Sequence, residues 1–171
     1  MQRAAGQPAT DSDTAVDRTR GQTMADIIHT AIANWHSHLK GQFEGGLDAL
    51  LTDDVIFYSP VVYTPQKGKE ITKLYLSAAG QTLGGDDEET PTSADPKSSG
   101  GGFRYTKKVL SGHQAVLEFE TTMGGKYVNG VDIITCNDEG MITEFRVMLR
   151  PLQAVNLVHQ QMAAMLEKMK S

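Results

Sequence analysis

Residues 126–149 read KYVNGVDIITCNDEGMITEFRVML. Apolar and polar side chains alternate on both sides of Asn137-Asp138-Glu139-Gly140, a run with the composition of a tight turn. The stretch therefore predicts two strands, Lys126–Cys136 and Met141–Leu149, folded back on each other. Working backwards, Gly124-Gly125 joins the first of them to a strand over Gln114–Thr122. Ser111-Gly112-His113 joins that one to a strand over Phe103–Leu110. Four strands linked by such short turns form an antiparallel meander.

The flanking sequence changes period. Ile27, Ile28, Ala31, Ile32, Trp35 and Leu39 recur at the spacing of a helix with one buried stripe. Leu47, Leu50 and Leu51 continue as a short helical stretch, and Thr52-Asp53-Asp54 reads as a turn into a strand over Val55–Tyr58. Ser59-Pro60 ends that strand, because proline cannot donate to a sheet ladder. A second helix is expected over Lys69–Ala79, with Ile71, Leu74, Tyr75 and Ala78 on one side. Pro151 opens a final helix whose stripe is Leu152, Val155, Met162, Leu166 and Met169. Helices segregated from an antiparallel sheet predict an α+β fold: a cone-shaped curved antiparallel sheet packed on N-terminal helices, closed by a C-terminal helix, over residues 24–170.

Composition limits the function. The chain has 171 residues and a formal net charge of −5, which argues against a nucleic-acid partner, since phosphate contacts need a basic face. No apolar run approaches the ~18 residues of a membrane span, so no membrane partner is expected. Met1 to Gln22 holds no hydrophobic stretch, which predicts no secretory leader and a cytoplasmic protein. Residues 1–23 are too polar to offset their ordering entropy and read as a disordered tail, with Met24 a possible alternative start. Residues 80–102 combine Gly84-Gly85, the acidic run Asp86-Asp87-Glu88-Glu89 and Gly100-Gly101-Gly102, and read as a flexible acidic, glycine-rich loop. Those glycines lack the P-loop lysine and the dinucleotide spacing, the histidines lack zincin spacing, and Cys136 is the single cysteine. Neither an organic cofactor nor a metal is expected.

Among polar residues Asp132 is the most informative. Strand alternation puts it on one face with Val128, Gly130, Ile134 and Cys136, so it points into apolar surroundings. Burial raises a carboxyl pKa, and a protonated acid can donate to a developing oxyanion. The structural alternative is an acid satisfied by backbone N–H groups or paired with Arg104 or Arg146. Trp35, His38 and Leu39 share one side of the first helix, so His38, rather than His36, is the candidate base. Tyr58 and Phe145 are candidate walls for a ligand. Glu118 and Glu120 alternate with Leu117 and Phe119 and belong on the outer sheet face.

The order of elements, with Leu50-Leu51-Thr52-Asp53-Asp54-Val55-Ile56-Phe57-Tyr58-Ser59-Pro60, Gly68-Lys69-Glu70-Ile71, Gly130-Val131-Asp132-Ile133-Ile134 and Asp138-Glu139-Gly140-Met141-Ile142-Thr143-Glu144-Phe145, resembles the nuclear transport factor 2-like superfamily and its SnoaL-like group. That resemblance spans roughly residues 24–165. It implies the cone fold, a pocket for a small hydrophobic molecule, and a homodimer through the outer sheet face. It leaves the chemistry open, because this fold hosts isomerases, cyclases, hydrolases and non-catalytic binders. By similarity to ketosteroid isomerases, Asp132, five residues before Asn137, takes the place of an oxyanion-hole acid. Trp35 stands where those enzymes carry a tyrosine, and Ser59 stands where they carry the base, so steroid isomerisation by that machinery is not expected. By similarity to limonene-type epoxide hydrolases an acid should follow the arginine of the last strand, but Val147 follows Arg146. The resemblance thus implies a cofactor-independent cyclase, isomerase or hydrolase using Asp132 as acid or oxyanion donor; the alternative is a non-catalytic ligand-binding or protein-interaction module.

Overall fold

In the computed structural model, residues 27–83 and 102–170 are described. The expected tail over 1–23, most of the expected loop over 80–102, and the side chains of Leu166 and Met169 lie outside them.

Helix α1 covers residues 27–39 and buries Ile28, Ala31, Ile32 and Trp35. Leu39, expected on that stripe, is 45% exposed, because the helix ends there and its last turn projects past the sheet. Helix α2 is Gly46–Leu50 and runs directly into strand β1, Leu51–Tyr58. The expected turn at Thr52-Asp53-Asp54 is instead an irregular part of β1, where the register against its neighbour shifts between Leu51 and Ile56. A two-residue strand β2, Gln66–Lys67, pairs back onto β1. Helix α3, Lys69–Leu83, runs past the predicted end at Ala79, and its buried residues are Thr72, Tyr75, Leu76 and Ala78.

The meander consists of β3 (Arg104–Ser111), β4 (Gln114–Met123), β5 (Lys126–Cys136) and β6 (Ile142–Arg150). Its turns follow from local chemistry. Gly124 and Gly125 both take positive φ, 55° and 71°, as a two-residue hairpin requires. In the β5–β6 turn the Asn137 side-chain oxygen accepts from the N–H groups of Glu139 and Met141 at 3.2 and 2.9 Å. The sheet order is β2-β1-β6-β5-β4-β3. Every pair is antiparallel except β1 with β6, so the sheet is mixed rather than wholly antiparallel. Two parallel neighbours need a long crossover, and here the whole intervening chain serves as one.

Alternation along β4 and β5 divides the sheet. Ala115, Leu117, Phe119, Thr121 and Met123 face inward with Val128, Gly130, Asp132, Ile134 and Cys136, and all ten are buried. Helix α4, Leu152–Lys170, packs against α3, β5 and β6 and adds Ala154, Val158 and Met162 to the same core. No helix among the described residues is long and apolar enough to cross a membrane.

Candidate functional site

Asp132 sits in β5 near the middle of the sheet, opposite Leu117 of β4 and Val147 of β6. It is 5% exposed. Two residues away, Gly130 leaves no room for a side chain, because a Cβ there would run into the Phe119 ring and Leu149. That glycine lets the Phe119 ring close over the strand beside the carboxyl.

The partner of Asp132 is neither Arg104 nor Arg146, which pair with Glu120 and Glu144 respectively. It is Tyr105, whose hydroxyl donates to Asp132 Oδ2 at 2.6 Å. The same hydroxyl accepts from the indole Nε1–H of Trp35 at 2.9 Å. Tyr105 belongs to β3, two strands from β5. A register shift between Tyr105 and Lys107 keeps the tyrosine on the inner face while Lys107 pairs with Glu118 outside. The result is a three-member chain, Trp35 to Tyr105 to Asp132, contributed by a helix and two strands.

Its electrostatics follow from dryness. Burial raises the Asp132 carboxyl to about 7, and the hydrogen bond from Tyr105 only partly opposes that. The Tyr105 phenol is driven well above its ordinary value, first by burial and then by the neighbouring carboxylate, so it stays a donor. At neutral pH, therefore, the acid is divided between its protonated and ionised forms.

Aromatic rings surround the chain. Phe145 meets the Trp35 indole edge-on with centroids 5.0 Å apart, and Phe103 meets both Tyr105 and Phe119 at 5.0 Å. His38 packs on Trp35 at 5.7 Å, and burial lowers its pKa. His36 packs on Tyr105 at 5.3 Å, and its pKa is lowered by burial, then by Lys108 and Lys40.

Of the residues singled out in the sequence, Trp35, Phe145 and Asp132 meet on the inner face, and His38 joins them through the indole. Tyr58 does not. Phe57 pairs with Phe145, so its neighbour Tyr58 points through the opposite face, where the Arg146 guanidinium lies 4.1 Å from its ring centre. Tyr58 instead lines a cleft of about 480 Å³ with Ser59, Pro60, Val61, Val155 and His159. Asp132 is not among that cleft's walls. Ser59 Oγ accepts from the Val61 N–H at 3.3 Å, a turn contact. Sequence reasoning missed Tyr105 and His36. Tyr105 carried one signal, an aromatic at an inward position of a meander strand, but the shifted register that aims it at Asp132 is a property of strand pairing. Among the described residues no three His, Cys, Asp or Glu side chains gather as a metal ion would require.

Comparison with solved structures places this architecture. A steroid delta-isomerase from Pseudomonas aeruginosa superposes with a TM-score of 0.69 at 25% identity, over 83% of this chain and 93% of that one. An uncharacterized protein with a cystatin-like fold from Silicibacter pomeroyi gives 0.64 at 30% identity, over 80% of this chain and 85% of its own. An NTF2-like protein from Mesorhizobium loti gives 0.52 at 18% identity and bears on the fold alone. No family model and no curated protein matches the sequence. The chain belongs to the nuclear transport factor 2-like superfamily, which includes the SnoaL-like proteins.

Proposed function

We propose that the protein takes a small, largely apolar molecule carrying a ketone or similar oxygen, and donates to that oxygen from the Asp132 carboxyl. The class of chemistry is cofactor-independent isomerisation, with related cyclisation or hydrolysis open to the same donor. One observation carries this reading: a buried acid raised to about 7 and held by a tyrosine that is itself held by an indole. A neutral acid in a dry site is a strong donor to developing negative charge. Trp35 and Phe145 serve as apolar walls, and the likeness to a steroid delta-isomerase supports the isomerase class.

A second reading rests on the cleft at Tyr58, whose walls exclude Asp132: a binding module that holds its ligand without acting on it. A thermal-shift panel of terpenoid, steroid and polyketide-like ketones separates the two. Ligand binding raises the melting temperature by mass action. Under the first reading the shift seen with the natural chain collapses in Asp132→Asn. Under the second it survives that change.

The outer sheet face suits a second copy of this chain. Val109 and Val116, 62% and 39% exposed, stand opposite each other in the β3–β4 ladder, and Met148, 52% exposed, lies two strands further on. Lys107, Glu118, Arg104 and Glu120 surround them with both charge signs. Sedimentation velocity is expected to give a dimer for the natural chain and a monomer for Val116→Glu.

A further inference from the structure

From the buried ring nitrogen of His36 beside Tyr105, we infer that His36 is the catalytic base of this site, and that the substrate is a β,γ-unsaturated ketone converted to its conjugated isomer. The inference rests on the proposed function and deepens it. An isomerase needs a group that lifts a proton from carbon. The position used by the ketosteroid isomerases is Ser59, which is engaged in a turn. His36 offers a replacement. Its ring lies 5.3 Å from Tyr105, the residue that bonds Asp132. Its Nε2 is shut off from solvent and meets no hydrogen-bond partner among the described residues. A buried polar atom without a partner is costly in a packed protein, and a ligand proton is one way to satisfy it.

The charge state agrees. The titratable and cationic groups acting on the ring are Lys40 of α1 and Tyr105 and Lys108 of β3. Burial and the two lysines keep the imidazole neutral at pH 7. With its proton on Nδ1, such a ring has a free lone pair at Nε2.

The reaction balances without a co-reactant. Nε2 accepts the proton from the carbon between the carbonyl and the double bond. The released C–H electron pair forms a dienolate, whose oxygen is held by the Asp132 O–H. The imidazolium then returns that proton to the γ carbon, giving the conjugated enone and neutral His36.

The test follows the growth of conjugated-enone absorbance from a small cyclic β,γ-enone and from a 5-ene-3-ketosteroid. The natural chain should turn over at least one of them. His36→Gln should lower kcat by about 10²–10⁴, the range for loss of a general base, and should erase the acidic limb of the kcat/KM profile. Added imidazole should partly restore His36→Ala, an effect that a packing role would not produce. If His36→Gln keeps natural activity and pH profile while Asp132→Asn is impaired, the role of His36 is overturned and the proposed function stands. If the natural chain converts neither ketone, both are overturned.

Discussion

Asp132→Asn is expected to make the protein more stable above neutral pH and far less active. In the folded state this carboxyl is raised from 3.8 to about 7, so between those values the unfolded chain releases a proton that the native protein keeps. Stability contributed by the protonated acid is complete below the unfolded value and is lost as pH climbs through the folded one. A shift of that size corresponds to roughly 4 kcal/mol across the interval. Asparagine has the same shape, keeps an oxygen to accept from Tyr105, and has no proton to lose. Its extra N–H donors need partners in a dry site, at a cost of about 1–3 kcal/mol, so a net gain of about 1–3 kcal/mol remains near pH 8. Urea unfolding at pH 4 and pH 8 checks this. The natural chain should weaken between the two and the variant should not; parallel behaviour would mean that the acid titrates normally. In turnover, replacing the acid by a weaker amide donor should cost about 10²–10³ in kcat, as for other oxyanion donors.

Tyr105→Phe should be the most destabilising single change at the site. The hydroxyl makes two bonds, accepting from Trp35 and donating to Asp132, and phenylalanine makes neither. Two buried polar groups then lose a partner, each at about 1–3 kcal/mol, for a total of roughly 2–5 kcal/mol. For a domain of this size each kcal/mol lowers the melting temperature by about 2–4 °C. Because the bond from Tyr105 holds the Asp132 pKa down, its loss should move that pKa further up. Carboxyl titration followed by isotope-edited infrared spectroscopy reads the shift, which should be upward. A downward shift would mean that the chain does not bias the acid.

Much of the fold lies in local pattern. The meander was readable because Gly124-Gly125 and Asn137–Gly140 punctuate runs of period two, and hairpin pairing between sequence neighbours needs little else. Strand β1 was harder, since its neighbour β6 lies some ninety residues away and no local signal says that the two run parallel. The Leu51–Ile56 irregularity is likewise a product of that pairing. The expected reach of α3 stopped short at Gly80, since glycine is a poor helix former, yet packing against β1 and α4 carries the helix through it.

For the candidate site the division falls between facing and meeting. Alternation along Val128–Cys136 sufficed to turn Asp132 toward the apolar side, because side-chain direction in a strand is set by the backbone alone. The same rule turns Tyr58 away from it, but only once the β1–β6 register is known. What brings Trp35 and Tyr105 onto the carboxyl is a helix crossing and a shifted strand register over separations of 70 and 27 residues. A sequence determines which way its residues point within each element. Contact between elements, and with it the proton affinity of a buried acid, is decided by the packing of the whole domain, since desolvation depends on every neighbour at once.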